Sequence, residues 1–285
     1  MGACATACFS SVGVAQQAVD VYVMAGQSNM DGRGLVKELA RSRPDLAQPQ
    51  PEIRYWYANP KLEDKGFSTG WIDLAPGYSI PPNYLKKKKT LPSHTFGAEV
   101  SFGPAMSQGA GERRVAVIKV SQGGTSLARD WNPERSEKYA LYNTLIRTVE
   151  AGLAELRAEG LEPRVRGVVW HQGESDGRRK TKTYVKHLKV FIQRLRTDLE
   201  APNLPFVIGE LYDNGHRDPV RTAQRQVAQQ VPGTAFVTSK GLKTSDNTHF
   251  TTPSVVEFGE RYAQAMHKLL AEEAGAPTPA PSAVE

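Results

Sequence analysis

The sequence predicts an α/β domain built on a central parallel sheet with helices on both faces. Three observations carry this reading. Short β-branched runs alternate with longer amphipathic segments through the C-terminal two thirds of the chain. Strand ends are marked by glycine, and clusters of polar residues follow those glycines. A strand that returns through a helix must pair parallel to its predecessor, because the helix carries the chain back to the starting edge.

The elements follow in order. Val19 to Ala25 is apolar and β-branched and ends at Gly26, as a buried first strand should. Residues 31–96 are rich in Pro, Trp, Tyr and charge and read as long surface loops on one side of the core. Glu99 to Gln108 is a helix, and Val115 to Val120 is a second strand. From Tyr139 to Glu159, Leu141, Leu145, Val149, Leu153 and Leu156 recur at helical steps until Gly160 stops them. Val165 to Trp170 is a strand. Tyr184 to Leu199 is a helix with Leu188, Phe191, Ile192 and Leu195 turned inward. A strand at Phe206–Gly209, a helix from Pro219 to Gln230, a short strand at Ala235–Val237 and a last helix from Ser254 to Leu270 complete the alternation.

One domain is expected over residues 17–272, with residues 273–285 an Ala/Pro-rich disordered tail. Residues 1–16 read as a signal peptide or a disordered N-terminus. Gly13 and Ala15 supply the small residues that a signal peptidase needs, although no Lys or Arg precedes the apolar run. Both cysteines, Cys4 and Cys8, would leave with that segment, and the expectation is a periplasmic or secreted monomer. No stretch approaches the roughly 18–20 apolar residues of a membrane span. Lys+Arg 36 against Asp+Glu 30 leaves a net charge of +6. The basic residues are scattered apart from Lys86–Lys89 and a run from Arg178 to Lys182, and no nucleic-acid motif frames either. Nucleic acid is therefore not expected as a partner.

The chemistry is expected at the carboxyl ends of the strands, where open parallel sheets place their sites. Gly26-Gln27-Ser28-Asn29-Met30, Gly123-Gly124-Thr125 and Trp170-His171-Gln172-Gly173-Glu174-Ser175-Asp176 all lie there, and Asp246-Asn247-Thr248-His249-Phe250 precedes the last helix. Taken singly, each has a plain explanation: a cap, a tight turn, a satisfied loop amide. Together they form a set. A serine nucleophile needs a base, and His249 is the best placed histidine. Asp246, three residues earlier, is close enough to orient one imidazole nitrogen while the other faces Ser28. The Ser28 and Gly124 amides and the Gln172 side chain would make a three-donor oxyanion hole. This is not the Gly-x-Ser-x-Gly elbow, because Met30 stands where the second glycine belongs.

In that order and spacing the four blocks, with Gly32, Gly34, Gly259, Arg261, Tyr262 and Ala263, resemble the SGNH hydrolases. The resemblance is to the sialate O-acetylesterase-like group that includes carbohydrate esterase family 6. It implies a flavodoxin-like three-layer α/β/α sandwich with a central parallel sheet. It implies ester hydrolysis with no metal and no cofactor, on an acetylated carbohydrate such as acetylated xylan or sialic acid. It carries over Ser28 as nucleophile, His249 as base, Asp246 as its orienting acid, and Ser28, Gly124 and Gln172 as oxyanion donors. Asn29, Gly123, His171 and Glu174 become supporting residues. Trp131 is a candidate for stacking on a sugar ring, as are Trp56, Trp71 and Tyr78. Two rival readings stand beside it. His171-x-x-Glu174 and Asp246-x-x-His249 offer two imidazoles and two carboxylates to a metal. The aromatic loops also suit a non-catalytic carbohydrate-binding protein.

Overall fold

The computed structural model describes residues 16–61, 66–79, 93–135, 140–177 and 179–275. Residues 1–15, the Lys86–Lys89 run, Arg178 and the last ten residues lie outside them. The elements are β1 (Ala18–Gly26), α1 (Ser28–Asp31), β2 (Gly34–Leu35), α2 (Val36–Ser42), β3 (Gln50–Ala58), β4 (Ile72–Leu74) and β5 (Thr95–Phe96). They continue with α3 (Glu99–Gln108), β6 (Arg114–Ser121), α4 (Leu141–Ala158), β7 (Glu162–His171) and α5 (Thr181–Asp198). The last four are β8 (Phe206–Gly209), α6 (Asp218–Gln230), β9 (Thr234–Val237) and α7 (Thr252–Gly275). The last helix thus reaches Gly275, past the boundary at 272 that composition suggests.

The main sheet runs β4-β3-β6-β1-β7-β8-β9, parallel throughout except for β4, which pairs antiparallel with β3 at one edge. Setting β3 and β4 aside, the remaining five strands have the flavodoxin-like order 2-1-3-4-5. Strand alternation divides the core in two. Val19, Val21, Val23 and Ala25 of β1 share one core cluster with Leu145 and Val149 of α4, Leu188 and Phe191 of α5 and Val220 of α6. Tyr22 and Met24 face the other way, onto Val100 and Phe102 of α3 and Val256 and Met266 of α7. The result is the three-layer α/β/α sandwich.

Residues 31–96 correct the sequence reading, because they are not all loop. Strand β3 extends the parallel sheet beyond β6, with Ile53 and Tyr55 fully buried, and β4 closes the edge. Ile53, Tyr55 and Tyr57 alternate onto one face, which is the period of a strand. Pro51, Glu52 and Arg54 between them gave the segment its loop-like composition. Pro51 sits in the second position of the strand, where proline is tolerated.

Register brings the functional ends together. Gly26 aligns with Ser121 of β6 on one side and with His171 of β7 on the other. The chain therefore leaves three adjacent strands at one level, at the point where the strand order reverses. Gly26 has a positive φ of 155°, and any Cβ there would run into the His171 carbonyl.

Candidate active site

Ser28 opens α1, a single turn that begins as β1 ends. The Gln27 amide donates to the His171 carbonyl at 3.1 Å, pinning the turn to β7, and the Asp31 and Gly32 amides close it on Gln27 and Ser28 at 2.8 and 2.9 Å. Ser28 is only 7% exposed. Its hydroxyl lies 3.0 Å from His249 Nε2, and His249 Nδ1 lies 2.7 Å from Asp246 Oδ2.

The loop that supplies Asp246 and His249 is closed locally. The Ser245 amide donates to the His249 carbonyl at 2.9 Å, and Thr244 bridges Phe250 in antiparallel fashion. Asp246 Oδ1 accepts the amides of Thr248 (3.1 Å) and His249 (2.7 Å), an arrangement that needs Asn247 at φ 60°. Phe250 anchors the loop, packing edge-on against His171 and Phe258. Partial burial works against the Asp246 charge, but the His249 ring and these amides outweigh it, so the carboxyl sits below its ordinary value.

Asn29 joins the two halves. Its Nδ2 donates to Glu174 Oε1 at 2.5 Å and to the Thr248 carbonyl at 2.9 Å, while its Oδ1 accepts the Phe250 amide at 3.3 Å. It therefore grips the residues on either side of His249. Glu174 is buried, which opposes its ionisation, yet the neighbouring His171 ring, its own amide and Asn29 hold the carboxyl below its usual value. His171 Nε2 lies 3.6 Å from Glu174, too long for a hydrogen bond, and its Nδ1 stands 2.7 Å from the Tyr262 hydroxyl. Burial keeps that phenol neutral. His171 and Glu174 thus lie behind the serine turn, and the two pairs that spacing offers to a metal remain separate. Among the described residues, no group of three or more His, Cys, Asp or Glu side chains could hold a metal ion.

Two expectations are corrected here. Gln172 is fully buried, and its Nε2 already faces three acceptors: Thr125 O and Asp176 Oδ2 at 2.8 Å, and Gln27 Oε1 at 3.3 Å. An amide nitrogen has two hydrogens, so Gln172 has none left for an oxyanion. Its role is to tie the Gly123-Gly124-Thr125 turn to Asp176, which also accepts the Leu127 amide at 2.8 Å. Trp131 is also fully buried, edge-on against Trp170, and its Nε1 donates to Thr125 Oγ1 at 3.0 Å. It locks the turn from beneath and cannot stack on a sugar. Trp71 is a packing residue as well, donating to the Gly152 carbonyl at 3.0 Å and stacked edge-on with Trp56, and Tyr78 packs against Tyr57. Gly123 does abut the serine, since a Cβ there would stand 3.3 Å from Ser28 Cβ. Gly124 has φ 78° and open space around the position of a Cβ.

Sequence reasoning missed the buried support of the turn. Lys119 donates to Glu99 Oε1 (2.8 Å), the Asp31 carbonyl (3.0 Å) and Ser79 Oγ (3.2 Å). A lysine inside an otherwise apolar strand was the available signal. Arg33 was also missed; it lines a cavity of about 230 Å³ that Asp246 and His249 line as well.

Against this geometry, comparison with known proteins is decisive. The model of the family described as carbohydrate esterase, sialic acid-specific acetylesterase matches residues 18–268. The chain belongs to this family. It is a carboxylic ester hydrolase, and the family as a whole supports O-acetyl esterase activity. A protein of Arabidopsis thaliana named as a probable carbohydrate esterase is 28% identical over 264 residues, covering 86% of this chain and 89% of its own. The crystal structure of an Arabidopsis thaliana protein superposes with a TM-score of 0.65 at 23% identity, over 89% of this chain and 98% of that one. NanS superposes with a TM-score of 0.64 at 16% identity, over 91% and 99%. A carbohydrate acetylesterase from Xanthomonas citri gives 0.61 at 18%, over 89% of this chain and 56% of that one. These likenesses of structure establish the fold. Among the described residues, no helix is long and apolar enough to cross a membrane.

Proposed function

We propose that this esterase removes O-acetyl groups from saccharides through Ser28, His249 and Asp246. The observation that carries the reading is the aligned pair of contacts, Ser28 Oγ to His249 Nε2 at 3.0 Å and His249 Nδ1 to Asp246 at 2.7 Å. His249 takes the hydroxyl proton as Ser28 Oγ bonds to the acetyl carbonyl carbon. Asp246 stays ionised and steadies the imidazolium. The oxyanion is received by the Ser28 and Gly124 amides, Gln172 being already engaged. His249 then protonates the departing sugar oxygen, leaving an acetyl-Ser28 ester. In the second half His249 takes a proton from water, the hydroxyl adds to the acetyl carbon, and acetate leaves as Ser28 regains its proton.

Acetylated xylan and acetylated sialate are the two substrates that the resemblance in sequence offers. The description of the matched family favours sialate of the two. The sequence reading is of a monomer, and the leader-like composition of residues 1–15 suits work in the periplasm or outside the cell. The test is hydrolysis of 4-nitrophenyl acetate by wild type, Ser28→Ala, His249→Ala and Asp246→Asn, with and without EDTA. Ser28→Ala and His249→Ala should each lose about 10⁴–10⁶ in kcat with an unchanged circular dichroism spectrum, and Asp246→Asn should lose less. Full activity in Ser28→Ala, or loss with EDTA alone, would remove the triad and restore the metal reading.

A further inference from the structure

Arg33 is a cation at the cleft whose hydrogen-bonding capacity is half used. Its Nη1 donates to Asp31 Oδ2 at 2.5 Å and to the Gly32 carbonyl at 2.6 Å. Asp31 is itself held by Asn59 Nδ2 and Ser121 Oγ, each 3.2 Å from Oδ1. One side of the guanidinium is therefore fixed. Nη2 and Nε make no hydrogen bond to any described residue, and neither is sealed from solvent, although the side chain is only 13% exposed. A Cβ placed on Gly123 would stand 3.3 Å from Ser28 Cβ and 3.7 Å from Arg33 Nη2, so the open edge of the arginine and the serine flank the same space. Arg33 also lines the cavity that His249 lines.

A planar guanidinium already locked on one side loses little entropy when its other edge binds, and Nε with Nη2 presents two parallel donors that fit a carboxylate. Glu38 and Asp246 line the same cavity, and their charge repels an anion, so among the described residues Arg33 is the one lining guanidinium that would draw a carboxylate there. Resting on the esterase reading above, we propose that Arg33 determines specificity. It holds the carboxylate of a sugar acid while the acetyl ester on the same sugar meets Ser28. The ligand chemistry is an O-acetylated sugar carboxylate, which a nonulosonic acid or a uronic acid can supply.

The experiment compares wild type, Arg33→Gln and Arg33→Lys on O-acetylated N-acetylneuraminic acid, on acetylated galacturonate oligosaccharide, and on the carboxyl methyl ester of each. Methyl esterification should cost the wild type about 10–100-fold in kcat/KM, mainly through KM, on the acid that it uses. The acid that shows this effect names the source. In Arg33→Gln the same esterification should cost less than about threefold, and Arg33→Lys, which keeps charge without the fork, should fall between. Equal wild-type rates on acid and methyl ester, or an undiminished preference in Arg33→Gln, would overturn the proposal. If Arg33→Gln lacks the native circular dichroism spectrum, competitive inhibition of the wild type by free N-acetylneuraminate and galacturonate, each against its methyl ester, decides instead. Equal inhibition by acid and ester counts against Arg33. Ser28-dependent hydrolysis of 4-nitrophenyl acetate with no preference for acids would sink Arg33 alone, whereas hydrolysis independent of Ser28 would sink the esterase mechanism.

Discussion

At the scale of single residues, the site depends on side chains that never meet the ester. Asn29 is adjacent to Ser28 in sequence and bonded on both sides of His249 in space, so it sets the separation of serine and histidine. Asn29→Ala would leave the Phe250 amide without its acceptor and the Thr248 carbonyl without its donor, and free the loop to shift. A misplacement of about 1 Å can cost on the order of 100-fold in rate. Asn29→Ala should therefore lower kcat by about 10–100-fold with little change in KM, read by steady-state kinetics on 4-nitrophenyl acetate. A change confined to KM would mean that Asn29 serves binding instead. Gln172 shows the converse. Its residue type suits an oxyanion donor, but its neighbours use both of its hydrogens.

Among the elements, helix α4 shows how the layers hold the site level. Leu141, Leu145, Val149 and Leu156 are buried at steps that keep them on one side of the helix, which packs on β6 and β7. The sheet beneath carries the Gly26, Ser121 and His171 ends in register. Leu145→Ala should cost about 2–5 kcal/mol of stability by chemical denaturation, because the surrounding packing closes only part of the cavity. Activity at 25 °C should stay near wild type, since Leu145 lies in the packed helix layer and not at the strand ends that carry the site. Strand β3 shows the limit of reading elements in isolation. Its alternation of Ile53, Tyr55 and Tyr57 is visible, but Pro51 and the charges between obscured it, and only the vacant edge of β6 explains why it pairs there.

For the molecule as a whole, buried and half-buried ion networks fasten the outer strands and helices to one another. Glu210, just past β8, accepts the Ser239 amide at 2.9 Å, Thr238 Oγ1 at 2.8 Å, Arg221 Nη2 at 3.0 Å and Arg225 Nη1 at 2.5 Å. Burial alone would raise its pKa, but these donors outweigh burial and hold it below its ordinary 4.5. The lowered value means that the unfolded chain binds the proton more readily. Glu210 therefore adds stability above pH 4.5, and that contribution fades as pH falls through the lower folded value. Glu210→Gln should flatten the acid side of the stability curve, measured by thermal melts between about pH 3 and 7, while lowering stability at pH 7. An unchanged slope below pH 5 would show that other carboxylates carry the acid sensitivity.

The sequence by itself determined the alternation of strands and helices, the inward faces of the helices, and the set of residues at strand ends. Those features are written in local periods and in glycines that mark a turn. Ser28, Asp246 and His249 were legible as a candidate set for the same reason: two lie in one short loop, and the third follows a strand at the expected level. Only the tertiary structure decided which polar groups were already engaged. Gln172 lost its oxyanion role and Trp131 its sugar contact because burial and hydrogen-bond partners come from residues distant in the chain. Arg33 gained importance through a glycine ninety positions away. Periodicity reports which way a side chain points, and only packing reports what it meets.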